Sequence, residues 1–199
     1  MTDVRHGEVQ PRPRGRPRSA EADEAILKAA WAVLSDGHYD RLTFEAVADR
    51  AGCSRPTLYR RFRNKVELVR ALVEPYTHAP EPLMREDASP REALLTYLND
   101  WMAYLGAGGG ASIMALWQAR REDPEMSAML DEIYDQGRKP YVAALRRLSA
   151  RPAPDAAYRP LVDAMLGAVI FRTVHCLKAM DPAELELLVD QAIRSAEAL

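Results

Sequence analysis

From residue 19 onward, apolar side chains return every three or four positions, the spacing of helices that each bury one stripe. Ile26, Leu27, Ala30, Val33 and Leu34 make the first stripe. Ser19 stands where an N-cap belongs, Glu21, Asp23 and Glu24 favour the positive end, and Gly37 suits the C-terminal exit. A second helix opens on Thr43, carries Phe44, Val47 and Ala48 inward, and stops at Gly52. A third starts at Ser54 with Pro56 in its first turn, where no amide donor is needed, and runs to about Arg61. Asn64 followed three residues later by Glu67 predicts a capping box for a fourth, which continues through Leu68, Val69 and Leu72 toward Pro75. Beyond the proline-rich link 75–90 the pattern predicts helices over 91–105, 111–122, 125–149, 156 or 160 to 179, and 182–198, with glycine or proline at their borders. No stretch alternates as a strand does. The expected fold is all-α with about nine helices.

The first eighteen residues break this texture. Gln10 to Arg18 is a run of proline, arginine and glycine that cannot bury a core, so residues 1–18 are expected to be a disordered basic arm. Residues 19–64 are expected to form one small helical domain and residues 65–199 a larger one, with the helix from Lys65 as connector. With 199 residues, 48% apolar and 28% charged, the chain has ordinary globular composition. Its charge is unevenly spread. Residues 1–70 hold 14 Lys and Arg against 10 Asp and Glu, while residues 71–199 hold 13 against 19. A basic end on an acidic remainder points to a polyanionic partner. No apolar run reaches the ~18 residues of a membrane span and no signal-peptide core follows Met1, so a soluble, cytoplasmic chain with no membrane partner is expected. Cys53 and Cys176 are too few for a disulfide framework, and neither metal nor other cofactor is expected.

Chemistry concentrates between Thr43 and Lys65, in TFEAVADRAGCSRPTLYRRFRNK. A short helix, a glycine turn and a second short helix make a helix-turn-helix. Two helices crossing steeply must touch at one point, which explains Ala48. The tight turn needs a positive φ, which explains Gly52. With Val47, Cys53 and Leu58 turned inward, the third helix presents Arg55, Thr57, Tyr59, Arg60 and Arg61 outward, with Ser54 at its start. Hydrogen-bonding and cationic side chains of this kind meet bases and phosphates. A pair of solvated surface helices would not bring turn, small residue, apolar triad and basic face together.

Residues 18–70, above all RPTLYRRFRNKVELVRALVE, resemble the amino-terminal DNA-binding domain of TetR-type transcriptional regulators. The resemblance implies an all-α homodimer on double-stranded, palindromic operator DNA, acting as a repressor that a small molecule in the larger domain releases. It places Arg55, Pro56, Thr57, Tyr59 and Arg61 against the DNA, and assigns Lys65 and Thr43 to phosphates; Arg60 is an additional candidate. Arg14-Gly-Arg16-Pro-Arg18 is similar to the core of an AT-hook, whose arginines enter a narrow A·T-rich minor groove.

In the larger domain, residues 161–177 resemble the penultimate helix of one subgroup of that family, which pairs with the last helix across a dimer. Leu166 and Ile170, with Leu185, Leu188, Val189, Ala192 and Ile193 of the last helix, are the expected dimer face. Trp101, Met102, Leu105, Met114 and Trp117 are expected walls of an effector pocket, together with Tyr134, Tyr141, Phe171 and His175. Each of these also suits an ordinary core. Arg120, Arg121 and Arg172 are candidates for an anionic effector, whereas the tryptophans and methionines favour a lipophilic or aromatic one.

Two other functional classes compete. An architectural DNA-binding protein would use the same helix-turn-helix without effector control. An enzyme finds no support, because Gly106-Ala-Gly-Gly-Gly-Ala-Ser112 lacks the Lys-Ser/Thr of a phosphate-cradling loop, and neither a nucleophile elbow nor a metal-ligand pair appears.

Overall fold

A computed structural model describes residues 20–36, 38–76 and 89–199. The arm with Arg14, Arg16 and Arg18, the caps expected at Ser19 and Gly37, and most of the proline-rich link lie outside these residues. The described residues form nine α-helices and no strand. They are α1 (Ala20–Ser35), α2 (Phe44–Ala51), α3 (Arg55–Tyr59), α4 (Lys65–Val73), α5 (Pro90–Tyr104), α6 (Gly110–Glu122), α7 (Pro124–Arg146), α8 (Asp155–Ile170) and α9 (Pro182–Glu197).

The helix starts obey the local rules. Thr43 accepts a hydrogen bond from the Ala46 amide at 3.1 Å, and Asn64 accepts one from the Glu67 amide at 2.8 Å. The Glu67 carboxylate does not close back on Asn64 as a capping box would. It accepts from the Arg63 amide, one residue earlier, at 2.7 Å. Ser54 starts α3 without a side-chain cap, its hydroxyl lying 2.9 Å from that of Thr57 instead. Gly52 takes φ +64°, as the turn requires. At the far end Asp181 and Glu184 form a reciprocal capping box for α9.

Three helices end earlier than the periodicity predicts. α3 stops at Tyr59, not Arg61. α7 stops at Arg146 rather than 149, because Ser149 leaves the helix axis to donate to the Ala196 carbonyl at 2.6 Å while accepting from the buried Tyr158 hydroxyl at 2.9 Å. α8 passes into one π turn over Phe171–His175, and the chain then departs through Leu177 at φ +53°. A break at Ala107 and Gly108, the latter at φ +107°, separates α5 from α6.

Two buried clusters hold the helices. One joins α1–α4 to Ala115, Leu116 and Ala119 of α6 and to Met126, Met129, Leu130 and Ile133 of α7. The other joins α5, the second half of α7, α8 and α9. The first cluster therefore crosses the boundary expected after residue 64, and α4 is not the sole link between the two ends. α1 packs on α6 as well, with the Ser35 and Ser112 hydroxyls 3.0 Å apart and Ser112 fully buried.

The apolar face of α9 meets its own subunit. Leu185, Val189 and Ala192 are buried in the second cluster, and Leu188 and Ile193 pack against it half-buried. Leu185, Val189 and Ala192 are thus covered within their own subunit while Leu188 and Ile193 keep an open side, because spacing reports burial and not which neighbour supplies it.

Candidate nucleic-acid interface and interior cavity

α3 is one and a half turns long and is positioned entirely by its neighbours. Leu58 is its one buried residue and joins Val47 and Ala48 of α2 in the cluster beneath α1, with Cys53 packed at the edge. This leaves Ser54, Arg55, Pro56, Tyr59 and Arg60 exposed and Thr57 half-exposed, along with Thr43 at the start of α2. Tyr59 is 61% exposed, its ring resting on Phe44 with centroids 4.8 Å apart. Arg60 donates to the Thr57 hydroxyl at 3.1 Å. Arg55 pairs with Glu45 of α2, and both side chains remain more than half exposed. Such a pair is worth at most ~1 kcal/mol, so Arg55 exchanges this partner for a base or phosphate at little cost.

Two expected contacts stand differently. Arg61 was expected outward, but its side chain is only 14% exposed and pairs with Asp23 of α1. The helix has ended before it, so the helical phase that would have turned it outward no longer applies. Lys65 lies 3.4 Å above the Tyr39 ring and donates to the Tyr39 carbonyl. Burial pulls its ammonium below the usual lysine range, against the opposing pull of Asp40 and Asp123. Burial, then Asp123, Asp40 and Glu125, push the Tyr39 hydroxyl up to about 12, so the ring under the ammonium stays neutral. Arg63, which the sequence reading passed over, adds another cation here, with 90% of its side chain exposed while it pairs with Glu67 at 3.4 Å. Its signal was position alone, in the turn between recognition helix and connector.

Behind this surface lies a cavity of about 710 Å³. Trp101, Met114, Trp117, Tyr134, Tyr141, Phe171 and His175 line it as expected, whereas Met102 and Leu105 border a separate groove. Leu166 and Ile170, expected at a dimer face, are also wall residues. The sequence reading missed Trp31 and Val73, which come from α1 and α4, as well as Tyr97, Tyr104, Arg138 and Asp163. The chain has three tryptophans, and all three line this cavity. Tyr97 and Tyr141 meet edge to face at 4.8 Å, and the Trp117 indole donates to the Tyr134 hydroxyl at 3.2 Å. Burial pushes the Tyr97 and Tyr134 hydroxyls above the usual tyrosine range, keeping them uncharged. Among the wall residues Arg138 and Asp163 form an ion pair with each other at 2.5 Å. The arginines considered for an anionic effector are absent from the wall: Arg120 pairs with Asp131, Arg172 holds Glu184 through bonds of 2.9 and 3.1 Å, and Arg121 is exposed.

Among the described residues no helix is long and apolar enough to cross a membrane. Residues 26–72, which span α1 to the end of α4, match the family described as bacterial regulatory proteins, tetR family. A DNA-binding transcriptional repressor TetR of Mycobacteroides abscessus is 29% identical over 186 residues, 90% of this chain and 94% of that one. Tetracycline repressor protein class C of Escherichia coli is 29% identical over 105 residues, 53% of this chain and 43% of its own length. The fold is shared with the Bacillus subtilis regulator FadR in complex with stearoyl-CoA, at TM-score 0.67 and 16% identity over 88% of this chain and 98% of that one. A TetR-like regulator from Rhodococcus sp. RHA1 gives TM-score 0.62 and 21% identity over 92% and 99%. With a helix-turn-helix built around Leu58, a match that covers that unit, and a repressor 29% identical over 90% of the chain, residues 26–72 are the DNA-binding domain of the tetR family of bacterial transcriptional regulators, which is not a class of enzymes.

Proposed function

We propose that the chain is a dimeric repressor that holds a palindromic operator and releases it when a small, lipophilic or aromatic molecule occupies the cavity. The carrying observation is the cavity itself. It has a drug-sized volume, walls shared between aromatic and aliphatic side chains, and no unpaired charge among Arg138 and Asp163. It lies against α4, which is tied to α7 by Arg70–Glu132 at 2.7 Å and Asn64–Glu125 at 3.1 Å. An occupant that shifts α7 shifts α4, and with it the spacing of two recognition helices that must match half-sites ~34–36 Å apart. The stearoyl-CoA held by the FadR neighbour makes fatty-acyl compounds the second chemistry to try.

The test is linkage. A duplex selected by the full chain from random-sequence DNA serves as operator, and a thermal-shift screen of neutral aromatics and fatty acids supplies the ligand. A ligand that weakens DNA binding must itself bind more weakly when the duplex is saturating, by the same factor. Equal ligand affinities with and without DNA would leave an architectural DNA-binding protein with an incidental cavity.

On the DNA side, the exposed Ser54, Arg55, Pro56, Thr57, Tyr59 and Arg60 are assigned to the major groove, Thr43 and Lys65 to phosphates, and the arm's Arg14, Arg16 and Arg18 to the minor groove. Arg61 contributes by holding α3 against Asp23. Arg55→Ala is expected to relax preference at one operator position, at a cost of ~1–3 kcal/mol. Lys65→Ala should weaken all sequences alike and flatten the salt dependence by about one unit. Anisotropy titrations over an operator mutant panel separate the two; identical profiles would refute this division.

A further inference from the structure

One wall of the cavity is made by the DNA-binding half of the chain. Trp31 leaves α1, and its ring meets that of Tyr104 with centroids 5.6 Å apart. Tyr104, at the last turn of α5, is in turn stacked on Trp101 at 5.2 Å and 21°. The three rings form a continuous row from the DNA-binding helices into the cavity, and all three are wall residues. The row rests on a specialised seat. A Cβ added at Gly109 would stand only 2.4 to 2.8 Å from the Tyr104 ring, so the ring lies directly on bare backbone. That glycine follows the break at Ala107 and Gly108, where the chain passes from α5 to α6. Directly beyond it, Gly110 is pressed against Val174 in the π turn after α8, which would lie 2.9 Å from a Cβ there. This break and the π turn after α8 thus abut beside Tyr104, the middle ring of the row.

We propose that this row is the ligand-reading element. A flat, uncharged, ring-bearing molecule stacks against Trp31, Tyr104 and Trp101, and Trp31 carries its presence straight into α1. The inference rests on the cavity being an effector site, and it adds the chemical class of the occupant and the residue through which occupancy reaches the DNA-binding helices. Flat rings follow from the row of Trp31, Tyr104 and Trp101, and neutrality from the mutual pairing of Arg138 with Asp163. Displacing Trp31 strains α1, which packs on both α2 and α6 and holds Arg61 through Asp23. Only a molecule that binds the two arrangements unequally shifts the balance, so the coupling must vanish when the row is broken.

Nile red, an uncharged fused-ring dye whose emission rises in apolar surroundings, is a suitable probe for the full-length protein. Its affinity is measured with and without saturating duplex selected by the chain. In the parent protein the duplex should weaken dye binding at least ~10-fold. In Trp31→Ala the dye should bind more weakly, having lost one of its stacking rings, but the duplex should change that weaker affinity less than ~2-fold. Trp31→Phe, which keeps a ring, should retain most of the coupling. Gly109→Ala breaks the row from the opposite side by lifting Tyr104 from its seat, without touching α1, and should uncouple in the same way; it decides the matter if Trp31→Ala does not fold. Parental coupling in both breaking variants would overturn the role of the row while leaving the cavity an effector site. No dye binding to the parent would overturn the ligand class. Dye binding that the duplex leaves unchanged in the parent would overturn both this inference and the effector reading.

Discussion

Ala164→Arg should yield a folded monomer that holds a two-half-site duplex at least ~100-fold more weakly than the parent, a loss of roughly 2.7 kcal/mol. α8 and α9 pack together through Tyr158, Val162, Met165 and Val169 on one and Leu185, Val189, Ala192 and Ala196 on the other. The sides turned away from that core carry Ala164 on α8 and Leu187 on α9, the latter 55% exposed. An exposed leucine on one helix and an exposed small residue on the other suit a two-fold partner, because small side chains let helices approach closely. A long cation at position 164 blocks that approach, and next to its symmetry mate it adds repulsion. Since Ala164 has no part in the subunit's own buried clusters, the fold should survive. Light scattering reports the mass and anisotropy the affinity. A variant that stays dimeric with parental DNA binding would place the interface elsewhere.

Leu58→Ala should cost the chain ~2–5 kcal/mol and abolish DNA binding under conditions where the rest of the protein stays helical. For a chain of this size that corresponds to a melting point lower by roughly 5–15 °C. The effect is large because α3 has five residues, too few to be stable alone, and Leu58 is its single buried anchor. Removing the anchor leaves a void beneath α1 and α2, and the recognition helix loses its fixed direction. Arg60→Ala serves as the contrast: it changes an exposed side chain whose recorded hydrogen bond is to Thr57, so DNA affinity should fall with little change in melting point. A parental melting point for Leu58→Ala would show that α3 is held by something other than this contact.

The helix-turn-helix was legible in the sequence because its determinants are local. Thr43 caps α2, Gly52 takes its positive φ, and Val47, Ala48 and Leu58 turn inward, all within one short stretch of chain. Arg61 was misjudged because a helical phase was carried two residues past the point where α3 stops. The cavity was legible in part. Large aromatic residues on the middle helices had to meet somewhere, and seven of the nine expected wall residues do so. Trp31 was missed because it lies on a helix whose other apolar residues plainly serve the small domain. Its ring points across to Tyr104, which no one-dimensional pattern records. Leu185, Val189 and Ala192 show the same limit from the other side: the period marks a face as buried but does not say whether the cover is the same subunit or a second copy.

α7 passes through both buried clusters, with Met126, Met129, Leu130 and Ile133 in the first and Tyr141, Val142, Ala144 and Leu145 in the second. Such a helix cannot melt on one side and stay folded on the other without exposing half its own apolar stripe. The DNA-reading end is thus not an exchangeable module that can be cut off after α4 and joined to another carboxy-terminal half. Severed there, it would leave the sites of Leu116, Ala119, Met126 and Leu130 open to water. A chimaera keeps its stability only if the incoming half brings side chains of matching shape on its own α6 and α7, so the two ends of this chain are constrained to change together.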